Sequence, residues 1–235
     1  MLSIIVPVLN EPSQINAAVE HLKARDFNGV REIIVVDGDP DGGTIKAVQD
    51  SDVICLTGAR GRGRQMNAGA RAGRGDILLF LHVDTRLPPG ALTSICRTLE
   101  NLKYVAGAFD LSIDSSSLVL KYIAAQASFR SRLSRIPYGD QAIFIRKSYF
   151  ERIGGFRDIP LMEDVDLMRR IKKDGGQIQI LRDKVTTSAR RWQSEGVLYT
   201  TLRNQVVLML YYLGVSPHRL ARLYKFGRAA PANDK

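Results

Sequence analysis

The stretch Leu2–Val8, LSIIVPV, decides the fold, and it runs directly into Leu9-Asn10-Glu11. A nearly continuous run of apolar, largely β-branched residues is typical of a strand that is buried on both faces of a sheet. Apolar residues then recur at positions 15, 18, 19 and 22, which is the spacing of one face of a helix. A buried strand followed by an amphipathic helix predicts the first unit of a parallel α/β sheet.

The same alternation continues through the first half of the chain. Further strands are predicted at 32–36 (EIIVV), 52–56 and 77–81 (ILLFL), with helices at 65–72 and 92–102. The second half is less regular, with strands predicted at 105–113, 141–145 and 177–181 and a helix at 163–173. We therefore predict an α/β fold over residues 1–190, a Rossmann-like and mostly parallel sheet flanked by helices.

Residues 191–235 are assigned to a helical C-terminal extension. Its segment 196–226 combines apolar residues such as Val206 and Leu210 with basic residues such as Arg203 and Arg219. This combination suits a helix on a membrane surface, a contact with a second copy of the chain, or a helix packed on the core. The final residues, Ala229–Lys235, are small and polar and are expected to fray.

The composition, with 45% hydrophobic and 25% charged residues, is globular and excludes global disorder. The two cysteines exclude a disulfide framework, and Cys55, which lies in an apolar run, is expected in the core. The sequence has no run of about 18 apolar residues and no signal-like N-terminus. We therefore expect a cytoplasmic protein, either free or peripheral on the inner face of the membrane.

The chain is strongly basic, because Lys and Arg total 34 and Asp and Glu total 24, a formal charge of +10. This charge suits a nucleic acid, an anionic membrane, a phosphorylated small molecule, or only a solvated basic surface. Recognisable nucleic-acid motifs are absent and aromatic residues make up only 7% of the chain, so stacking platforms for bases are few. We expect no nucleic-acid partner.

Polar segments follow each of the first four predicted strands. Ligands bind at the carboxyl ends of the strands in open parallel sheets, and these ends meet at one edge. The four segments therefore predict a single site. They are Pro7–Glu11, Asp37–Gly43, Gly58–Asn67 and His82–Asp84.

The third of these segments, GARGRGRQMN, is rich in glycine and arginine. Arg64-Gln65 stands where a Walker A loop requires Lys-Ser/Thr, and Met66 stands at the third glycine of a dinucleotide fingerprint, so both motifs are rejected. Glycines still let the backbone approach a phosphate, and arginines supply bidentate donors. The segment is therefore expected to meet phosphates, the alternative being a basic solvated turn.

Three acidic segments can carry chemistry. His82 and Asp84 can present an imidazole and a carboxylate to one divalent cation, Mn²⁺ or Mg²⁺, although Asp84 can also simply cap a turn. Glu163 and Asp164 open a predicted helix, where a carboxylate serves as a general base or as an ordinary cap. The segment Gly139-Asp140-Gln141 is, in the same way, either a turn or part of a site.

Taken in order, these segments resemble the family 2 glycosyltransferases, which have the GT-A fold. Ser3–Glu11 resembles the opening strand and nucleotide loop of that family, and Val35–Gly38 resembles its base-contacting turn. Arg62–Gly69 resembles its Gly/Asn-rich donor loop, and His82–Asp84 stands where the family carries an Asp-x-Asp metal motif. Gly139–Gln141 and Glu163–Asp164 fall where it carries acceptor and catalytic-base residues.

The resemblance implies an inverting glycosyltransferase that uses a nucleotide-diphosphate sugar, UDP- or GDP-linked, with a divalent cation. Asp164 would be the general base with Glu163 beside it, and Asp84 would hold the metal. The residues expected to bind the donor are Pro7, Asn10, Glu11, Asp37, Arg62, Arg64, Asn67 and His82. Those expected to bind the acceptor are Gly139, Asp140, Gln141, Arg191 and Trp192.

The sequence departs from the family pattern at two places. His82 replaces the first Asp of Asp-x-Asp, and Ser188 replaces the Gln of the Gln-x-x-Arg-Trp element of processive synthases in the segment SARRW. Since no transmembrane helix is predicted either, we expect the transfer of a single sugar to an unidentified hydroxyl acceptor rather than polymer synthesis.

Two other classes of function stay open at this point. A sugar-phosphate nucleotidyltransferase also uses a nucleotide-binding α/β sheet, but it needs a glycine-rich, lysine-bearing loop after the first strand, where this chain has Leu9–Pro12. The second class is a non-enzymatic basic module that binds nucleic acid or anionic lipid.

Overall fold

The structure, a computed structural model, describes residues 1–226, with side chains described as far as Tyr224. The segment Ala229–Lys235, which was expected to fray, lies outside the described residues. Within the described part, the strands form one sheet. They are Leu2–Val8 (β1), Arg31–Asp37 (β2), Ile54–Thr57 (β3), Ile77–Phe80 (β4), Thr85–Arg86 (β5), Tyr104–Asp114 (β6), Phe144–Arg146 (β7) and Gln177–Ser188 (β8).

The sheet has the order β3-β2-β1-β4-β7-β6-β8-β5. Strand β1 pairs in parallel with β2 on one side and with β4 on the other, so that Ile4 lies between Ile33 and Leu79. Strand β7 runs antiparallel to both β4 and β6, which gives β6 and its parallel partner β8 the direction of β1. The short β5 pairs antiparallel with β8 at the edge. The prediction of a mostly parallel sheet flanked by helices is confirmed.

The helices pack on both faces of this sheet and continue beyond its last long strand. They are Ile15–Lys23 (α1), Arg62–Ala72 (α2), Ala91–Glu100 (α3), Leu118–Ser134 (α4), Lys147–Arg152 (α5), Glu163–Lys173 (α6), Arg190–Glu195 (α7), Val197–Tyr212 (α8) and Pro217–Phe226 (α9). Ile45–Ala47 and Gly139–Gln141 are single 3₁₀ turns.

Several sequence predictions need correction. Helix α2 begins at Arg62, three residues earlier than predicted, so the arginine-rich segment ends in a helical turn. The strand predicted at 141–145 begins only at Phe144. The 17-residue helix α4 was not predicted at all. Cys55 is exposed rather than in the core.

Two hydrophobic clusters lie on opposite faces of the sheet, because alternate residues of β1 point to opposite sides. Leu2, Ile4 and Val6 pack with the apolar residues of α1, α3 and α4. Ile5 packs on the other face with residues of α2, α5 and α6. Helix α2 comes very close to this face, since a Cβ on Gly69 would lie only 2.5 Å from Cγ2 of Ile5.

None of the helices that the structure describes is both long enough and apolar enough to span a bilayer.

The buried side chain of Gln65 joins helix α2 to the ends of β1 and β2. The Gln65 amide nitrogen donates to the carbonyl oxygen of Val8 at 2.7 Å and to that of Val36 at 2.8 Å, at the carboxyl ends of β1 and β2. Both carbonyls lie in a buried environment, where an unpaired polar group is costly.

We predict that Gln65→Leu lowers the free energy of unfolding by about 1–3 kcal/mol, because two buried carbonyl oxygens each lose the hydrogen bond that Gln65 donates. Urea unfolding followed by circular dichroism measures this change. Arg71→Ala, on the exposed side of the same helix, is the matched control and should change stability by less than about 0.5 kcal/mol. An equal, small effect of the two substitutions would contradict the role given to Gln65.

Candidate active site

An open cleft of about 810 Å³ lies at the carboxyl edge of the sheet. Its walls come from the loops after β1 and β4, the start of α2, the turn before β7, the start of α6, and the helices that follow β8. The predicted site residues that line it are Pro7, Glu11, Arg62, His82, Asp84, Gly139, Asp140, Glu163, Asp164, Arg191 and Trp192. The fold thus brings together most of the residues that the sequence analysis selected, although they are spread from residue 7 to residue 192.

Asp164 is held firmly at the centre of the cleft. The residue before α6, Met162, has a left-handed backbone with φ of 67°, which turns the chain sharply into the helix. One oxygen of the Asp164 carboxylate accepts the Gly139 N–H at 2.6 Å, and the other accepts the N–H of Val165 at 2.7 Å. Each oxygen keeps further acceptor capacity, so the carboxylate is oriented but can still accept a proton from a bound hydroxyl.

Two further carboxyl groups lie close to Asp164, and their pKa values are shifted upward. Burial, and then the neighbouring Asp164 charge, raise the pKa of Glu163 from 4.5 to about 7. Burial and Asp164 likewise raise the pKa of Asp140 from 3.8 to about 6, against the opposing effect of Arg130. One oxygen of Asp140 is buried without a hydrogen-bond partner among the described residues. Part of this cluster is therefore protonated near neutral pH, and Asp140 has acceptor capacity to spare.

Basic side chains lie beside this acidic cluster. Arg62 lies in the first turn of α2, where free backbone N–H groups and the helix dipole also favour an anion. His82 lies next to the acidic centre, because a Cβ on Gly139 would be 3.1 Å from its Nε2 and 3.4 Å from Asp164 Oδ2. Burial, with added repulsion from Arg62 and Arg191, holds the pKa of His82 well below its usual value. The imidazole is thus neutral at neutral pH.

The His82–Asp84 segment directly follows β4. If it continued the strand, the side chains of His82 and Asp84 would point the same way. Instead the chain turns, and the Thr85 N–H donates to the carbonyl of His82 at 3.0 Å. The turn arises because Thr85 and Arg86 pair with β8. Both side chains still line the cleft.

The arrangement around Asp84 fits a divalent cation that is shared with a ligand. Within residues 1–226, no three His, Cys, Asp or Glu side chains are grouped to enclose a metal ion. The Asp84 carboxylate has no hydrogen bond or ion pair within the same residues, and it faces the cleft. Mg²⁺ and similar ions are commonly held by one or two carboxylates together with substrate phosphates and water. Asp84 can supply the carboxylate, and the neutral His82 is a second candidate ligand.

Three predicted site residues have structural partners instead of cleft positions. Asp37 is fully buried, and its carboxylate accepts the N–H groups of Asp39 and Thr44 at 3.0 and 2.8 Å. The Asn67 amide both donates to and accepts from the backbone of Phe156. Gln141 is buried, and its amide donates to the Phe109 carbonyl at 2.8 Å. These residues shape the walls of the site.

Two further donor candidates also lie outside the cleft lining. Arg64 points away from the cleft and makes a bidentate ion pair with Asp158, with both N–O distances at 2.6 Å. Asn10 is exposed and has a left-handed backbone with φ of 57°, which turns the chain after β1. The next residue, Glu11, donates its backbone N–H to the Thr44 hydroxyl oxygen at 3.1 Å. Thr44 in turn donates its own backbone N–H to the Asp37 carboxylate.

Sequence reasoning missed several residues of the site. Arg190 makes an ion pair with Glu11 at the mouth of the cleft, with an N–O distance of 3.2 Å. Arg130 stacks on Tyr138, with its Cζ atom 3.4 Å from the centre of the ring. Tyr138 lines the cleft beside Asp140. The sequence offered a local indication for Arg190, since this residue directly precedes the predicted acceptor residues Arg191 and Trp192. It offered none for Arg130, because α4 was not predicted.

Comparison with solved structures shows a GT-A glycosyltransferase fold. A mannosyltransferase from Pyrobaculum calidifontis, PcManGT, solved in complex with GDP-Man and Mn²⁺, matches with a TM-score of 0.60 and 20% identity over 79% of this chain and 56% of that protein. TarS 1-349 of S. aureus matches with a TM-score of 0.62 and 17% identity over 86% of this chain and 63% of that one. At these identities the likeness establishes the fold alone.

Sequence comparison gives the family. The profile described as Glycosyl transferase family 2 matches residues 3–157, and the chain belongs to that family. Two proteins named "Uncharacterized glycosyltransferase" are similar: one from Haemophilus influenzae, 26% identical over 184 residues, and one from Rickettsia felis, 25% identical over 188. These alignments cover 74% and 73% of this chain but 63% and 31% of the two relatives. The chain thus spans less than two thirds of either relative.

The raised pKa of Glu163 predicts a pH-dependent stability. The folded protein holds the Glu163 proton more tightly than the unfolded chain does. The stability that this proton contributes is therefore complete below pH 4.5 and is progressively lost as the pH rises to about 7. Glu163→Gln cannot ionise. It should therefore gain stability relative to the wild type across this range, by on the order of 1–3 kcal/mol.

Urea unfolding of both proteins at about pH 5 and about pH 8 measures the difference. Glu20→Gln, on the exposed side of α1, is the matched control and should show a constant difference from the wild type. If Glu163→Gln also showed a constant difference, the pKa of Glu163 would not be raised by burial.

Proposed function

We propose that the chain transfers a single sugar from a nucleotide-diphosphate sugar, UDP- or GDP-linked, to a hydroxyl acceptor with inversion at the anomeric carbon. The observation that carries this proposal is the Asp164 carboxylate, fixed by two backbone N–H groups in a cleft that Arg60 and Arg62 also line. Membership of glycosyl transferase family 2 supports the reaction class. The solved complexes of fold neighbours with GDP-Man and with UDP-GlcNAc support the donor class.

The donor would lie between β1 and α2. Pro7 and Glu11 line the cleft at the end of β1, where the nucleoside would sit, and Glu11 is positioned by Thr44. Arg60 and Arg62 line the cleft at the start of α2, where their guanidinium groups and the helix N-terminus suit a diphosphate. A divalent cation, Mn²⁺ or Mg²⁺, held by Asp84 would help to neutralise the charge on the diphosphate leaving group.

The acceptor would enter on the side of Asp140 and the helices that follow β8. Asp140 has a buried oxygen without a partner, and Trp192 has a buried Nε1 without a partner, both judged within the described residues. The first can accept, and the second can donate, a hydrogen bond to a bound sugar or alcohol. Arg191 lines the same part of the cleft and adds positive charge there.

In the proposed reaction, the acceptor oxygen attacks the anomeric carbon as Asp164 takes its proton. A bond from that oxygen to the anomeric carbon forms, while the bond from the anomeric carbon to the diphosphate oxygen breaks. A single displacement inverts the configuration, and the arginines that line the cleft stabilise the negative charge on the leaving group. Glu163, partly protonated near neutral pH, lies beside Asp164 and limits the negative charge at the centre.

We expect Asp164→Asn to lower the turnover rate by about 10²- to 10⁴-fold, because the general base is lost. The Kd for the donor should stay within about twofold of the wild type, since Asp164 acts on the acceptor hydroxyl. Turnover on a panel of acceptors and donor binding by calorimetry measure the two effects separately. The Asn side chain keeps only one acceptor oxygen for the two N–H groups, so thermal unfolding should be recorded alongside.

Glu163→Gln is the matched control at the neighbouring carboxyl group and should retain more activity than Asp164→Asn. If Asp164→Asn kept more than about a tenth of the wild-type rate, well short of the loss expected for a general base, the assignment would be wrong.

We also expect Asp84→Asn to weaken Mn²⁺-dependent binding of UDP and GDP by at least about tenfold, a change of about 1.4 kcal/mol. The physical reason is the loss of the carboxylate charge that a cation would share with the diphosphate. Calorimetric titrations with and without Mn²⁺ provide the measurement. Asp183→Asn, an exposed carboxylate on β8, is the control. Unchanged Mn²⁺-dependent binding in Asp84→Asn would remove Asp84 from the metal site.

A further inference from the structure

The helices α4, α8 and α9, like α2, contain no Asp or Glu, although the whole chain has 24 of them. The exposed basic residues Lys121, Arg135, Arg219 and Arg222 lie on or beside α4 and α9. Among the described residues, none of these four takes part in an ion pair that would neutralise its charge. This part of the surface is therefore positively charged.

Helix α4 carries an apolar stripe on its solvent side. It packs on the sheet through Leu120, Ala124 and the small residues Ser128 and Ser131, so its larger apolar side chains face outward. These side chains are between 57% and 80% exposed and recur at helical spacing. They are Leu118, Val119, Tyr122, Phe129 and Leu133.

Helix α8 also exposes apolar side chains on its solvent side. Its inner side packs through Val207, Leu208 and Tyr211, and part of that side lines the cleft. Its outer side exposes a second stripe, between 41% and 81% exposed, that continues one residue beyond the helix. The stripe consists of Leu198, Leu202, Val206, Met209 and Leu213. We call the two stripes together the α4–α8 face.

Both helices border the cleft. Arg130 of α4 stacks on the ring of Tyr138, which lines the cleft. Val207 and Leu208 of α8 line the cleft directly. The α4–α8 face therefore borders the entrance on the side where Asp140 lies.

We propose that the α4–α8 face docks on the surface of an anionic lipid bilayer. Exposed apolar stripes of this extent mark interaction surfaces in soluble proteins. An apolar helix face with basic neighbours and no acidic residue is the pattern of a helix that lies in the headgroup region of anionic membranes. Docking in this way presents the entrance of the cleft to molecules held in the membrane.

The charge favours a bilayer over a second copy of the chain. In a two-fold symmetric dimer the same surface patch meets itself, so the unpaired arginines and lysines of two copies would be brought together. Like charges at such an interface oppose association. An anionic lipid surface supplies the opposite charge, and each basic residue near it contributes about 1 kcal/mol.

Vesicle flotation tests the proposal and needs neither donor nor acceptor, so its outcome is separate from that of the proposed reaction. The probes are phosphatidylcholine vesicles with and without phosphatidylglycerol. We expect the wild type to float with the anionic vesicles at low salt, and to be released as salt rises. The double variant Leu133→Ser/Leu202→Ser should bind roughly a hundredfold more weakly, since each buried leucine is worth about a factor of ten or more.

Leu102→Ser is the matched control, because Leu102 is even more exposed than Leu133 and Leu202 but precedes the N-terminal end of β6, at the sheet edge opposite the cleft. It should float like the wild type. All the substituted leucines are exposed, so thermal unfolding should change little.

Absence of flotation at low salt, or equal flotation of the double variant and the wild type, would overturn the proposal. Equal binding to neutral and anionic vesicles would also overturn it, since the charge would then play no part. A wild-type dimer in light scattering that the double variant dissociates would assign the α4–α8 face to self-association instead.

Discussion

The parallel pairing of β1 with β2 on one side and β4 on the other sets the position of the groups in the cleft. Because these ladders share one direction, the segments after β1 and β4 emerge at one edge, where Glu11 and Asp84 line the same cleft. Strand β7 runs antiparallel to β4, so the turn that precedes it, with Gly139 and Asp140, lies at the same edge. A shift of β1 by one residue would exchange its buried faces and move the loop after it.

The cleft holds charges of opposite sign close together. Its carboxyl groups, those of Asp140, Glu163 and Asp164, are grouped, and Arg62 and Arg191 are near enough to influence the pKa values of their neighbours. Burial raises the pKa values of the two carboxyl groups beside Asp164, so the cluster need not hold three negative charges together. A protonated neighbour also lowers the negative charge beside Asp164.

Much of the fold followed from the sequence, because the early strands are continuous apolar runs and α6 has a clear amphipathic pattern between acidic and glycine residues. Helix α4 escaped prediction for a physical reason. It buries Ser128 and Ser131 and exposes Phe129 and Leu133, so its apolar spacing does not mark the core side.

The residues that face the cleft were found where local sequence placed them at a strand end or a helix start. Arg64 and Asn67 were misplaced because their partners, Asp158 and Phe156, lie about 90 positions away. Contacts at such separation are set by packing of the whole fold and leave no local pattern. The turn at His82 has the same origin, since it depends on pairing with β8.

The ion pair between Glu11 and Arg190 joins residues 179 positions apart. A contact of this range forms only after the sheet between its ends is assembled, because closing a long loop costs entropy that earlier contacts must offset. The entrance to the cleft is therefore among the last parts of the fold to be completed during synthesis. Until the segment after β8 has joined, the nascent chain carries its acidic and basic groups on an open and unenclosed surface.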